Sequence, residues 1–154
     1  MTYDLFMSIE GIAGESTDFR HPEWIELLLL EHEIQPASVA EGSPDRPLGE
    51  YEVLKLLDRS SPKLYEACCS KRLIPQITIE LCRAGDDRQR LLEIRLEDAV
   101  VSSVKFVANA SGEDARPTEY VRFRFDRIRW TYTQQANDGS VVGSLSSEWD
   151  QGLD

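Results

Sequence analysis

Ser16, Asp18 and His21 are the residue types of a nucleophile, an orienting acid and a general base. A serine whose proton passes to an imidazole held by a carboxylate attacks acyl carbons. All three fall within six residues, however. Such triads are assembled from separate segments, so that each hydrogen bond can align. No Gly-x-Ser-x-Gly elbow surrounds Ser16,, so hydrogen bonding inside a loop is the expected role of Ser16, Thr17 and Asp18. Metal chemistry has as little support. His21 and His32 are eleven positions apart, and neither Cys-x-x-Cys nor His-Glu-x-x-His spacing occurs,. His32, between Glu31 and Glu33, reads as an exposed residue at a strand end. Cys68, Cys69 and Cys82 are an odd number with an adjacent pair, which is not a disulfide framework,. Inert packing in a reducing compartment is expected of them. With no phosphate-cradling glycine loop either, the reading assigns no catalytic residue, no cofactor and no metal.

The elements that would position side chains are mostly strands. Leu5, Met7 and Ile9 alternate with Phe6, Ser8 and Glu10, which gives a first strand near Tyr3–Glu10,. Gly11 to Pro22 reads as a loop, and the apolar Trp24–Ile34 as a second strand. Pro36, Pro44 and Pro47, with Gly42 and Gly49, make Gln35–Gly49 a long loop, because proline removes backbone donors,. Glu50–Asp58 resumes as a strand. A short helix follows, with Ser61 as N-cap, Pro62 in its first position, and Lys71 and Arg72 in its last turn,. Its pairs Leu64 with Cys68 and Tyr65 with Cys69 are expected to face a sheet. Ile77, Ile79 and Leu81 alternate with Thr78, Glu80 and Cys82. With Leu92, Ile94 and Leu96 beyond a turn at Gly85–Asp87 they predict a hairpin,. Val100–Phe106 is expected to be a further strand. In Glu119–Tyr132 the apolar set changes parity, from Val121, Phe123 and Phe125 to Ile128, Trp130 and Tyr132. A regular strand cannot do this, so a bulge is expected near Asp126. That shift gathers Arg122, Arg124, Arg127 and Arg129 on the opposite face. The stripe is either a solvated face or an interface that pairs with carboxylates of a neighbouring subunit.

Composition bounds the rest. The chain has 154 residues, 41% hydrophobic and 29% charged, which fits one globular domain,. Its 17 Lys+Arg against 28 Asp+Glu leave a net charge of −11. That repels nucleic acid and disfavours an anionic membrane surface. The longest unbroken apolar run, Leu27–Leu30, is far short of a membrane span,. Met1–Glu10 lacks the basic start and apolar stretch of a secretory signal, so synthesis and folding in the cytoplasm are expected,. Residue chemistry alone therefore reaches a closed or nearly closed β fold with one docked helix and one long loop.

Several strings in order along the chain carry a resemblance. They are Gly14-Glu15-Ser16 with Asp18 and His21; Ser61-Pro62-Lys63-Leu64-Tyr65-Glu66-Ala67-Cys68-Cys69; Ile77-Thr78-Ile79-Glu80-Leu81-Cys82-Arg83-Ala84; Ser102-Ser103-Val104; and Trp130-Thr131-Tyr132-Thr133-Gln134-Gln135. From Tyr3 to about Trp149 the chain resembles the haemolysin-coregulated protein family, the tube subunits of bacterial type VI secretion systems. The resemblance implies one tube domain over residues 1–154. Its expected form is a mainly β, small barrel of two antiparallel sheets with one short docked α-helix and an extended loop. It implies a homo-hexameric ring, rings stacked into a tube, partner sheath and spike proteins, and small effector proteins held in the lumen. Export through that machine needs no signal peptide. The family's extended loop corresponds to Pro36–Gly49, where prolines stand in place of the glycines of many members. Candidate interface residues are thus Arg122, Arg124, Arg127, Arg129, Pro36, Pro44 and Pro47. A phage-like tail tube would share the fold. A small-molecule-binding barrel is the remaining alternative, and Phe123, Phe125, Trp130 and Leu27–Leu30 are bulky enough to fill its interior,.

Overall fold

Alternating apolar and polar side chains bury one face of a strand, and this pattern generates most of the chain. The computed structural model describes residues 2–36, 48–85, 89–111 and 116–151. Its strands are β1 (Tyr3–Ile9), β2 (Ile25–Glu31), β3 (Tyr51–Leu56), β4 (Ile74–Arg83), β5 (Arg90–Val107), β6 (Thr118–Arg124), β7 (Arg127–Gln135) and β8 (Val141–Asp150). One helix, α1 (Ser61–Ser70), lies between β3 and β4. The strands pair antiparallel in the order β4-β1-β2-β3-β6-β5-β7-β8. A further β4–β5 pairing closes β1 to β6 into a six-stranded barrel, hydrogen-bonded throughout as one continuous sheet. β7 and β8 continue from β5 as a two-stranded ribbon.

Met7, Ile25, Val53, Ile79, Ile94, Leu96, Val121 and Phe123 are buried in a common core. Phe125 joins them, and Trp130 packs on their margin. Of the leucine run only Leu27 is fully inside. Leu28 and Leu29 are exposed, because β2 shifts register against β3 between Leu27 and Leu29. Cys82 keeps the expected alternation, on the face of Glu80, and is buried there beneath His21 rather than in the barrel core.

Val100–Phe106 is not a separate strand. β5 runs unbroken for 18 residues and bends at Asp98, whose φ is 52°. Its first part pairs with β7 and its second with β6. The chain opposite this bend is interrupted at Phe125–Asp126, where Asp126 N–H donates to the Glu97 carbonyl at 3.1 Å. The parity change is therefore met by a break between β6 and β7. Each strand keeps its own period, and buried Phe125 plugs the corner,.

The helix starts one residue earlier than its sequence suggests. Ser60 is the N-cap and makes no side-chain cap bond, while Ser61 lies inside the helix and is buried. Lys71 is the C-cap, in the left-handed region, so neither it nor Arg72 lies in the last turn. Leu64 and Ala67 enter the core and Cys68 packs against it. Cys69 is exposed instead of facing the sheet.

Candidate functional site

A buried polar network fixes the helix to the barrel. Lys55 and Glu119 are cross-strand partners on β3 and β6, and each is 0% exposed. Lys55 Nζ donates to Glu119 Oε1 at 2.7 Å, Ser61 Oγ at 3.1 Å and the Leu56 carbonyl at 3.0 Å. It also lies 3.1 Å from Asp58 Oδ1. Ser61 donates to Glu119 Oε1 at 2.8 Å, and the Tyr65 hydroxyl donates to Glu119 Oε2. Burial, aided by the Glu119 carboxylate, pushes the Tyr65 hydroxyl up to about 12, so it remains a donor,. The network is structural in character, since every polar atom in it is occupied by another.

The Ser16–His21 loop folds without forming a triad. Gly14 N–H donates to the Glu23 carbonyl and Ser16 N–H to the Trp24 carbonyl, so the loop doubles back on itself. Glycine is required at 14, where a Cβ would lie 2.5 Å from the Trp24 carbonyl oxygen. Ser16 Oγ accepts from Asp18 N–H at 3.1 Å, the expected loop role. The His21 ring does not face Ser16. It stacks on Phe6, with Nδ1 2.5 Å from Asp18 Oδ2 and Nε2 2.8 Å from Glu80 Oε1. Cys82 Sγ is 3.9 Å from the same Nε2. Burial and the nearby Glu80 and Asp18 carboxylates raise the Cys82 thiol to about 11. Sequence reasoning missed Glu80 as a partner because it comes from β4, fifty-nine positions away.

His32 is not an exposed strand end. It is half-buried, stacks on Tyr51 with ring centroids 4.5 Å apart, and donates from Nε2 to the Leu48 carbonyl at 2.6 Å. Desolvation lowers its pKa below the usual 6.5, the hydrogen bond to Leu48 opposing in part. The unfolded chain then binds a proton that the folded chain resists. Stability is full above about pH 6.5 and falls as the pH drops towards the depressed folded value. Thermal unfolding followed from neutral to mildly acidic pH is expected to show a steeper loss for the wild type than for His32→Gln.

All four arginines of the stripe are exposed, on one side of β6 and β7. Arg122 meets Glu52 at 3.1 Å and Glu50 at 3.8 Å, and Arg124 meets Glu50 at 3.7 Å. Arg127 meets Asp98 at 3.1 Å and Glu97 at 3.3 Å. Arg129 pairs in register with Glu148 of β8 across the backbone ladder. Pro36 is exposed, while Pro44 and Pro47 lie outside the described residues.

The opposite face of the ribbon was not singled out by the sequence. Ile128 is buried against the core, and the same face continues outward as Tyr132, opposite Leu145, and as Trp149, opposite Ile128. Tyr132, Leu145 and Trp149 are 51%, 75% and 53% exposed. Every residue of β8 is exposed. These side chains form an exposed apolar strip along the terminal strand of the sheet.

A closed six-stranded β-barrel with a docked helix and a two-stranded ribbon continuing from it defines a small β-barrel protein. Residues 6–132 match the family described as "Type VI secretion system effector, Hcp". The chain belongs to this Hcp family of type VI secretion proteins. It is 31% identical over 149 residues to protein hcp1 of Pseudomonas aeruginosa, covering 93% of this chain and 91% of that protein. Among solved structures it is similar to a type six secretion system protein, with TM-score 0.84, 25% identity and coverage of 97% and 96%. It is also similar to Hcp1 from Salmonella typhimurium, with TM-score 0.82, 28% identity and coverage of 98% and 96%.

Proposed function

We propose that this chain is a tube subunit of a type VI secretion machine, a structural protein that catalyses no reaction. Six copies close a ring, rings stack into a tube, and a contractile sheath drives that tube out behind a spike protein. Small effector proteins ride in the lumen. Before firing the subunit is cytoplasmic, and it leaves through the machine itself. Family membership supports the context, but the observation that carries the reading is the uncovered apolar strip Tyr132–Leu145–Trp149. A ring needs a heterologous interface, in which one patch meets a different patch on the next copy until the rotation closes. A projecting ribbon offers such a patch without disturbing the barrel core. Light scattering tests the reading directly. The expected mass is six times the 17.5 kDa of one chain, and a monomeric mass across a wide concentration range would overturn it.

The arginine stripe and the loop holding Pro36, Pro44 and Pro47 are proposed as further parts of the subunit contacts. Intrachain carboxylates already partner Arg122, Arg124 and Arg127, so the stripe contributes through charge complementarity more than through buried bonds,. Arg122→Glu with Arg124→Glu is expected to raise the ring's dissociation midpoint by about tenfold, since like charges then face each other. Far-ultraviolet circular dichroism should be unchanged. An unaltered hexamer population would leave these arginines as a solvated face.

A further inference from the structure

We propose that His21, Glu80 and Cys82 form a zinc site, with Asp18 fixing the imidazole for coordination through Nε2. The proposal stands apart from the tube reading and requires no ring. One nitrogen, one oxygen and one sulfur atom from these three residues lie within 4.8 Å of one another. Zinc takes this mixture of thiolate, imidazole and carboxylate donors, whereas harder cations favour oxygen alone. With bond lengths of about 2.0–2.3 Å, a tetrahedral zinc places its ligand atoms about 3.4–3.6 Å apart. The Cys82 Sγ to His21 Nε2 separation of 3.9 Å is already close to that edge. Glu80 Oε1, at 2.8 Å from Nε2, has to move outward by roughly half an ångström to admit the ion,.

The surroundings favour a ligand set over chance proximity. A metal-bound imidazole commonly gives its other N–H to a carboxylate, which fixes ring orientation and raises ligand basicity. Asp18 Oδ2, 2.5 Å from Nδ1, occupies that position. The ring is further held flat on Phe6, with centroids 4.0 Å apart and planes 5° from parallel. Glu80 is anchored through its second oxygen, with Arg90 Nη1 3.5 Å from Oε2, which leaves Oε1 facing the imidazole. Glu80 and Cys82 are two residues apart on β4, so the pleat presents both to the same loop,. Access is open from one side. A cleft of about 420 Å³ lined by Arg20, His21, Glu80, Arg90, Thr133 and Val141 reaches the ring and can supply a water as fourth ligand,.

Charge balance is satisfied. Zn²⁺ would be bound by the Cys82 thiolate, the Glu80 carboxylate and the neutral Nε2 of His21, with the Cys82 S–H proton and any Nε2 proton released to solvent,. Asp18 remains ionised and accepts from Nδ1. No other reactant is needed.

The test is zinc retention by the full chain after dialysis, quantified by atomic emission. It is run with Cys68→Ser and Cys69→Ser in place, so that the exposed thiol of Cys69 cannot contribute. One zinc per chain is expected, as is a thiolate-to-cobalt charge-transfer band on replacing zinc by cobalt. Cys82→Ser should abolish the band. Asp18→Asn keeps all three ligands, and should weaken affinity by about tenfold to hundredfold while leaving the band in place. Circular dichroism checks that each variant is folded, and Glu80→Gln serves as a second ligand variant should Cys82→Ser unfold. Absence of retained zinc, or equal retention by folded Cys82→Ser and Glu80→Gln, would overturn the proposal.

Discussion

Glu119→Ala is expected to lower the unfolding free energy by about 3–5 kcal/mol, read as a fall in the urea midpoint at unchanged slope. The magnitude comes from what is left behind. Lys55 is 0% exposed, so its ammonium keeps its desolvation penalty when the carboxylate 2.7 Å away is removed. Ser61 and Tyr65 lose their acceptor in the same step. Asp58, 3.1 Å from Nζ, still offers a negative charge and places the loss towards the lower end of that range. For a domain with an ordinary stability of about 5–15 kcal/mol, this is a large share. The double variant Lys55→Met with Glu119→Leu separates the causes. A buried pair costs nearly as much to desolvate as it returns, so an apolar replacement should recover most of the loss. Failure to recover would mean that the helix is held by the hydrogen bonds of Ser61 and Tyr65 rather than by packing of Leu64 and Ala67.

This network was readable in the sequence as a violation. Lys55 is in phase with the buried Tyr51 and Val53, and Glu119 with the buried Val121 and Phe123. Two opposite charges on apolar phases of two strands imply a buried pair, although only the β3–β6 register identifies them as neighbours. The strands themselves were legible because period two survives in a single sequence. What misled was local. Asp98 bends β5 without breaking it, and no turn residue announces that a strand continues through such a corner. Ser61 has the composition of an N-cap, yet its hydroxyl is drawn into the Lys55–Glu119 pair, a tertiary demand that outweighs a cap bond,. The four arginines attracted attention by their charge, whereas the apolar strip on the other face did not. Tyr132, Leu145 and Trp149 resemble core positions until burial shows that nothing among the described residues covers them.

That strip carries the other large effect. Leu145→Glu with Trp149→Glu is expected to convert a ring into monomers at micromolar concentration, with the circular dichroism spectrum preserved. The fold should tolerate both changes because every residue of β8 is already exposed in the single chain. An interface should not, since large aromatic anchors commonly contribute about 2 kcal/mol or more each. A carboxylate buried without a partner adds a desolvation penalty of several kcal/mol. In a ring each subunit makes two such contacts, so the effect is felt on both sides of every copy. Ser146→Glu supplies the contrast, for Ser146 pairs with Thr131 in the unshifted part of the ladder and lies on the other face of β8 from Leu145 and Trp149,. If Ser146→Glu dissolves the ring while Leu145→Glu with Trp149→Glu leaves it whole, the contact lies on the other face of the ribbon and the apolar strip is not its seat. If both leave it whole, the ribbon is not the contact. Disassembly by the Leu145 and Trp149 pair alone places the interface on the face that Ile128 begins inside the barrel, so that one continuous apolar surface serves first the fold and then the assembly.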